Sequence, residues 1–139
     1  MNSPTLVALL GFIGWTLFLL VLMESIRSKM VLTKEIAPNC FNPENSNLSP
    51  FMQRLARAHA NCLEGLLIFG SLMLIAVVTS NTAITNSLAY VFLGARLLQS
   101  LIHLASLSPM AVTLRFSVFA VQMVIGIYWC YQLFGVVMQ

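Results

Sequence analysis

The sequence predicts an all-α integral membrane protein that folds as a four-helix bundle. Of its 139 residues, 59% are hydrophobic and only 8% are charged, whereas a soluble globular domain is about 45–50% apolar and about 25% charged. Four apolar stretches each approach the roughly 20 residues that cross a bilayer as a helix. None of them shows the alternation of a barrel strand, and only helices or closed barrels satisfy their backbone in lipid.

Each predicted helix is bounded by polar or turn-forming residues. The first is free of charge until Glu24, and a proline-containing polar loop follows it. Ser49 and Pro50 make a good start for the second helix, because serine caps helices and proline suits the first helical position. The segments "TSNTAIT" and "SLSPM" form short turns before the third and fourth helices. We expect one domain over residues 1–139, with helices at about 5–26, 50–79, 83–106 and 109–137 and a loop at about 27–49.

The basic residues predict the orientation in the membrane. Five of the seven Lys and Arg residues lie in or beside the first loop, whereas the second loop and both termini have none. Positive charge marks the cytoplasmic side of a membrane protein. We therefore expect the first and third loops in the cytoplasm and both termini outside, with a bacterial inner membrane as the location.

Composition and cysteine spacing argue against several other classes. The formal charge of +3 is small, which gives nucleic-acid binding little support. Cys40, Cys62 and Cys130 are far apart and form no C-x-x-C pair, so we expect neither a disulfide framework nor a thiol metal site. The first basic residue, Arg27, follows the first apolar run, whereas a signal peptide carries its charge before that run. We expect the first helix to remain in the protein.

Polar side chains mark one face of the second, third and fourth helices, in the half nearest the first loop. At 100° per residue, the members of each group fall on one helical face. They are Arg54, Arg57, Asn61 and Glu64 on the second helix, Arg96, Gln99, Ser100 and His103 on the third, and Arg115 and Gln122 on the fourth. Charges at depth usually face a cavity or a partner. One interpretation is a shared cavity, and the alternative is three separate polar contacts between helices.

Such a cavity would suit a zwitterionic small molecule rich in carboxylates. Arginine guanidinium groups fork onto carboxylates or phosphates, and Glu64 can hold an ammonium. Asn61 can donate to and accept from a peptide backbone. The long apolar wall nearby suits a lipophilic second substrate that arrives from the bilayer.

"RLARAHANCLE" at 54–64 resembles the motif R-x-x-R-A-H-x-N-x-x-E of the MAPEG family, the membrane-associated proteins in eicosanoid and glutathione metabolism. "ARLLQSLIH" at 95–103 and "LRFSV" at 114–118 resemble its third- and fourth-helix segments, and "FNPEN" at 41–45 is similar to a loop motif of some members. The resemblance implies a homotrimer of four-helix subunits, with glutathione bound between neighbours near the cytoplasmic face.

The resemblance also implies roles for individual residues. Glutathione would be held, as a co-substrate, by the positions that match the family's ligand residues, with Gln99 and His103 standing where several members have tyrosines. The ligand positions are Arg54, Arg57, Asn61, Glu64 and Arg96. Arg115 takes the position of the arginine thought to stabilise the glutathione thiolate, which makes it the expected catalytic residue. A basic residue after the first helix also contributes in relatives, and Lys34 or Arg27 is the candidate.

The implied activity is that of a membrane glutathione transferase or peroxidase of broad specificity for lipophilic electrophiles. The departures at Gln99 and His103 argue against the specialised prostaglandin and leukotriene reactions. The alternative is a non-catalytic trimeric binding or scaffold protein that keeps the fold. A transporter is disfavoured, because the sequence shows neither an internal repeat nor a broken helix of the kind that marks such a site.

Overall fold

A computed structural model describes residues 3–139 and shows an all-helical chain over that range. The four helices are α1 (Pro4–Leu32), α2 (Pro50–Val78), α3 (Thr82–Ala105) and α4 (Pro109–Val137). Each is long and apolar enough to cross a membrane, and the described residues contain no strand. The predicted four-helix membrane bundle is therefore confirmed. A short turn of π-helix at Leu66–Gly70 interrupts the α-helical hydrogen bonding within α2.

The first helix continues to Leu32, well beyond the end expected near residue 26. Glu24 and Arg27, which suggested that end, instead form an ion pair of 2.9 Å between successive turns. No proline or glycine occurs between Arg27 and Pro38 to stop the helix. Arg27 consequently belongs to α1, and the first loop is confined to residues 33–49.

Three of the four helices begin with the same serine–proline pair. The Ser3, Ser49 and Ser108 hydroxyls accept hydrogen bonds from the backbone N–H three residues further on. The proline that follows each serine has no N–H to leave unsatisfied. The start of α2 at Pro50, expected from the sequence, is found there.

The first loop is tied to both helices that it connects. The Arg27 Nε donates a hydrogen bond of 3.0 Å to the Asn45 Oδ1, and the Arg27 Nη2 donates to the Pro43 carbonyl at 3.2 Å. The Asn45 Nδ2 donates to the Met52 carbonyl at 2.8 Å. Asn45 is fully buried and has a positive φ of 58°, a conformation that asparagine tolerates better than most residues. This side chain thereby fixes the first turn of α2 against the end of α1.

The bundle is centred on four aromatic rings, one from each helix. The Phe92 ring of α3 lies 5.8 Å from the Phe12 ring, 4.9 Å from the Phe69 ring and 5.5 Å from the Trp129 ring, measured between centroids. Gly126 makes room for Phe69, since an added Cβ would lie 2.5 Å from that ring. Toward the end that carries loop 33–49, about one to four turns from these rings, α2, α3 and α4 carry the polar residues identified in the sequence.

Asn45→Ala should destabilise the protein by about 2–3 kcal/mol, because it removes a buried hydrogen bond to the Met52 carbonyl and the hydrogen bonds from the charged Arg27 guanidinium. The measurement is the thermal unfolding midpoint in detergent. Asn39→Ala, in the same loop at an exposed position, is the matched control and should leave the midpoint unchanged. Equal midpoints for the two variants would contradict the role given to Asn45.

Candidate functional site

A network of hydrogen bonds joins α2, α3 and α4 inside the bundle. The Arg96 Nη1 donates to the Asn61 Oδ1 at 2.6 Å, and the Gln99 Nε2 donates to the same oxygen at 3.3 Å. The Gln122 Nε2 donates to the Gln99 Oε1 at 2.8 Å. Arg96 and Gln122 are fully buried, and Gln99 is nearly so. The three polar faces identified in the sequence therefore meet directly, through these four side chains.

The buried guanidinium of Arg96 is enclosed by aromatic rings and by a glycine. Its central carbon lies 5.2 Å from the centroid of the Phe12 ring and 5.9 Å from that of Phe119, which offsets part of the cost of burying a cation. An added Cβ at Gly65 would lie 2.5 Å from the Arg96 Nη2. The Arg96 Nε and Nη2 have no hydrogen-bond partner among residues 3–139.

Some members of the predicted set instead form separate contacts between helices. The Ser100 Oγ lies 3.2 Å from the buried Cys62 Sγ, and the Arg54 Nε donates to the Leu104 carbonyl at 2.9 Å. The second contact satisfies a carbonyl in the last turn of α3, where helices leave such groups unpaired and favour positive charge. These contacts fit the interpretation of separate polar contacts between helices, and the shared cavity stays a prediction.

Two further charges of the polar faces lie near His103. This histidine is buried on α3, and Arg57 and Arg115 are both within electrostatic range of its ring. Arg57 is exposed and Arg115 is partly exposed. The structure therefore brings the predicted catalytic arginine of α4 and one predicted ligand residue of α2 to the same end of α3.

The two candidate basic residues, Arg27 within α1 and Lys34 after it, differ in their contacts. Arg27 is committed to Glu24 and to the loop. Lys34 is exposed in the loop with a positive φ of 62°. Lys34 makes no ion pair with any residue of the range 3–139, in which Arg27–Glu24 is the one salt bridge found. Within this subunit Lys34 is not part of the network around Asn61.

An apolar groove of about 500 Å³ runs between α2 and α4 and ends at the polar network. Asn61 and Glu64 form its polar end, and Gly65 lies beside them. Glu64 is exposed and has no salt bridge within the described residues. The remaining lining is apolar except for a cysteine, and consists of Ile68, Phe69, Leu72, Phe119, Met123, Gly126, Ile127 and Cys130. A concave, mostly apolar site with a few convergent polar groups is typical of small-molecule binding.

Sequence reasoning missed three residues that shape this site. Phe12 and Phe119 enclose Arg96, and Gly65 admits it. Gly65 was visible as the small residue directly after the polar face of α2. The two phenylalanines carry no sequence signal, because their contact with Arg96 joins helices that are distant along the chain.

The fold agrees with the comparison against known families. The MAPEG family model matches residues 5–135 of the chain. No curated protein matches it, and neither does any solved structure. The chain belongs to the MAPEG family, which confirms the resemblance seen in its motifs. It is therefore a multi-pass integral membrane protein of a family associated with glutathione and eicosanoid metabolism.

Gly65→Ala should displace the Arg96 guanidinium, because the new methyl group would overlap the Nη2. We expect a loss of about 1–3 kcal/mol, the usual cost of overpacking, measured as a lower thermal midpoint in detergent. Gly94→Ala is the matched control on α3, since no atom lies within 4 Å of its added Cβ. That variant should be neutral or slightly stabilising, because alanine is the better helix former. A Gly65→Ala protein as stable as the Gly94→Ala protein would contradict the contact.

Proposed function

We propose that the protein is a membrane-embedded glutathione-dependent transferase or peroxidase that acts on lipophilic electrophiles. The observation that carries the proposal is the groove with one polar end and apolar walls. A water-soluble thiol needs the polar end, and a substrate dissolved in the bilayer needs the apolar walls. The two reactants would meet where Asn61, Glu64 and Gly65 adjoin the buried Arg96.

Glutathione suits the polar residues in charge and in hydrogen bonding. It carries two carboxylates, one ammonium and two peptide groups. Arg57 would bind a carboxylate, Glu64 the ammonium and Asn61 a peptide or carboxylate group, with Arg96 assisting from behind Asn61. Gln99 and Arg54 would support the ligand residues indirectly, since their polar atoms already form hydrogen bonds within the bundle. Because Arg27 is occupied by the loop, Lys34 is the better candidate for the basic residue after α1.

The proposed assembly is a homotrimer in which glutathione lies between neighbouring subunits. In support, Arg57 and Glu64 are exposed on this chain, so a neighbour can complete the site around them. We place the first and third loops in the cytoplasm, since five of the seven Lys and Arg residues lie in or beside the first loop and positive charge favours that side. Both termini are then outside, and the bacterial inner membrane remains the proposed location.

Arg115 is the proposed catalytic residue, and it lies within electrostatic range of His103. A free thiol has a pKa of about 8.5, so little glutathione is thiolate at neutral pH. A partly buried guanidinium favours the anion through a charge-assisted hydrogen bond, at about 1.36 kcal/mol for each unit by which the thiol pKa falls. In conjugation, the thiolate forms a carbon–sulfur bond as the leaving group departs with its electron pair. In reduction, the thiolate attacks the terminal oxygen of a hydroperoxide, the O–O bond breaks and the alcohol leaves. A second glutathione then reduces the resulting sulfenic acid, which yields the disulfide and water.

The second candidate is a non-catalytic trimeric binding or scaffold protein. One observation favours it: the bonds among Asn61, Arg96, Gln99 and Gln122 lie within the bundle and join three helices whether or not a ligand is present. Such contacts stabilise membrane bundles modestly on their own. The two candidates differ in whether the protein changes the chemistry of a thiol.

Arg115→Ala should abolish thiolate formation while leaving the fold intact. Glutathione is titrated into detergent-purified protein, and the ultraviolet band of the thiolate is followed. The wild-type protein should give a stoichiometric band and the variant none, because the stabilising cation is gone. Lys29→Ala, which removes an exposed cation from α1, is the control and should retain the band.

Two results would count against these assignments. A full band in Arg115→Ala would remove Arg115 from catalysis. No band in wild-type protein, with intact oligomers and no glutathione binding by calorimetry, would favour the scaffold candidate instead.

A further inference from the structure

Arg96 determines which way the Asn61 amide faces. An arginine side chain has hydrogen-bond donors only, whereas an asparagine amide has an acceptor end and a donor end. The Asn61 atom at 2.6 Å from the Arg96 Nη1 must therefore be the carbonyl oxygen. The Gln99 Nε2, at 3.3 Å, supplies a second donor to the same oxygen. A carbonyl oxygen has two lone pairs, so its accepting capacity is used within the bundle.

Matching donors to acceptors also determines the orientation of the Gln99 and Gln122 side-chain amides. Since Gln99 donates to Asn61, its own carbonyl oxygen faces α4, where the Gln122 Nε2 donates to it at 2.8 Å. Gln99 and Gln122 are buried, so no water competes for these groups. Reversing one amide would place donor against donor or acceptor against acceptor. The direction of the whole series is thus imposed from one end by the charge of Arg96.

We infer that this series of amides turns the Asn61 NH₂ group toward the groove, so that the ligand group in contact with it is a hydrogen-bond acceptor oxygen. Asn61 lines the groove, and its Nδ2 makes no hydrogen bond within residues 3–139, while its Oδ1 is bonded twice. The acceptor is a carboxylate or a peptide carbonyl and not a peptide N–H. Gln99 and Gln122 are positioning residues, since they act on the ligand through Asn61.

From the sequence, Asn61 could both donate to and accept from a ligand. In the structure only its donor end remains for the ligand. This inference rests on the proposed function for the identity of the ligand. The orientation of the amide follows from the hydrogen bonds alone. Two experiments separate these two parts.

The first experiment removes the Asn61 NH₂ group and keeps an oxygen that can accept from Arg96 and Gln99. Asn61→Asp is isosteric, and its carboxylate can still accept from Arg96 and Gln99, but it has no N–H to give a ligand. The probe is S-methylglutathione, whose binding is measured by calorimetry without any thiol chemistry. We expect its Kd to rise at least tenfold, with a thermal midpoint no lower than that of the wild type. Unchanged affinity in Asn61→Asp would overturn the inference.

Asn86→Asp is the matched control at the opposite end of the bundle. The Asn86 Oδ1 accepts from the Thr5 backbone N–H at 3.1 Å and from the Thr5 hydroxyl at 2.6 Å, so it too uses its oxygen within the fold. It does not line the groove between α2 and α4. Its Kd for S-methylglutathione should equal that of the wild type. An equal loss of affinity in both variants would show a general effect of the new carboxylate and would overturn the inference.

The second experiment observes the amide groups themselves. Protein labelled at asparagine and glutamine side chains is placed in lipid nanodiscs, and exchange of the NH₂ protons with water is followed by NMR. The Asn61 protons should exchange faster than those of Gln99 and Gln122, which are buried. An Asn61 NH₂ group as protected as that of Gln99 would overturn the orientation, whatever the ligand is.

Gln122→Leu tests the positioning role. Without Gln122, the Gln99 oxygen loses its donor, and the Gln99 amide is held only by its own 3.3 Å bond to Asn61. We therefore expect faster exchange of the Gln99 NH₂ protons and a several-fold higher Kd for S-methylglutathione. Gln132→Leu, a change of the same kind further along α4 at a partly buried site, should alter neither. Identical exchange and affinity in Gln122→Leu and wild type would exclude the positioning role. If the wild type binds no S-methylglutathione, the proposed function fails, and the exchange measurements still decide the inference about Asn61.

Discussion

The burial of one arginine side chain organises the half of the bundle that contains the polar network. A guanidinium placed at depth in a membrane bundle is costly unless its charge and its donors are compensated. Arg96 obtains two aromatic faces, from Phe12 and Phe119, and one short bond to Asn61. To admit it, α2 must carry glycine at position 65. These requirements bring residues of all four helices to one place.

The site follows from the position of that arginine relative to the apolar groove. Asn61 takes part in both, because its oxygen faces Arg96 while the residue also lines the groove. The groove is polar only at that end, so a charged ligand and an apolar ligand would each find matching surface along one continuous wall. Phe92 of α3 packs against Phe69 of α2 and against Trp129 of α4. It therefore links the two helices that form the groove.

The sequence predicted the fold well because the membrane leaves few alternatives. Runs of about 20 apolar residues must be helical in lipid, and serine–proline pairs mark helix starts by local chemistry. The end of α1 was predicted less well. Glu24 and Arg27 suggested a loop, whereas their side chains pair along the helix, which continues to Leu32. A charge in the sequence indicates where water begins, and a helix can extend beyond that point.

The helical periodicity of the sequence also indicated which side chains share a face, and it correctly placed Asn61, Arg96, Gln99 and Gln122 on faces that turn toward each other. It could not distinguish which of the polar residues bind within the bundle and which remain available to a ligand. Arg54 and Ser100 belong to the first group and Arg57 and Glu64 to the second, although all four obey the same spacing.

The sequence by itself thus determined the number of helices, the membrane environment, the family and the set of candidate residues. These depend on local composition, on periodicity and on short motifs. Only the tertiary structure decided the partners of Arg96, the need for Gly65 and the direction in which the Asn61 amide points. Those depend on distances of a few ångströms between helices that are far apart in the chain, and the hydrogen-bond donors and acceptors can be matched only when the helices are packed together.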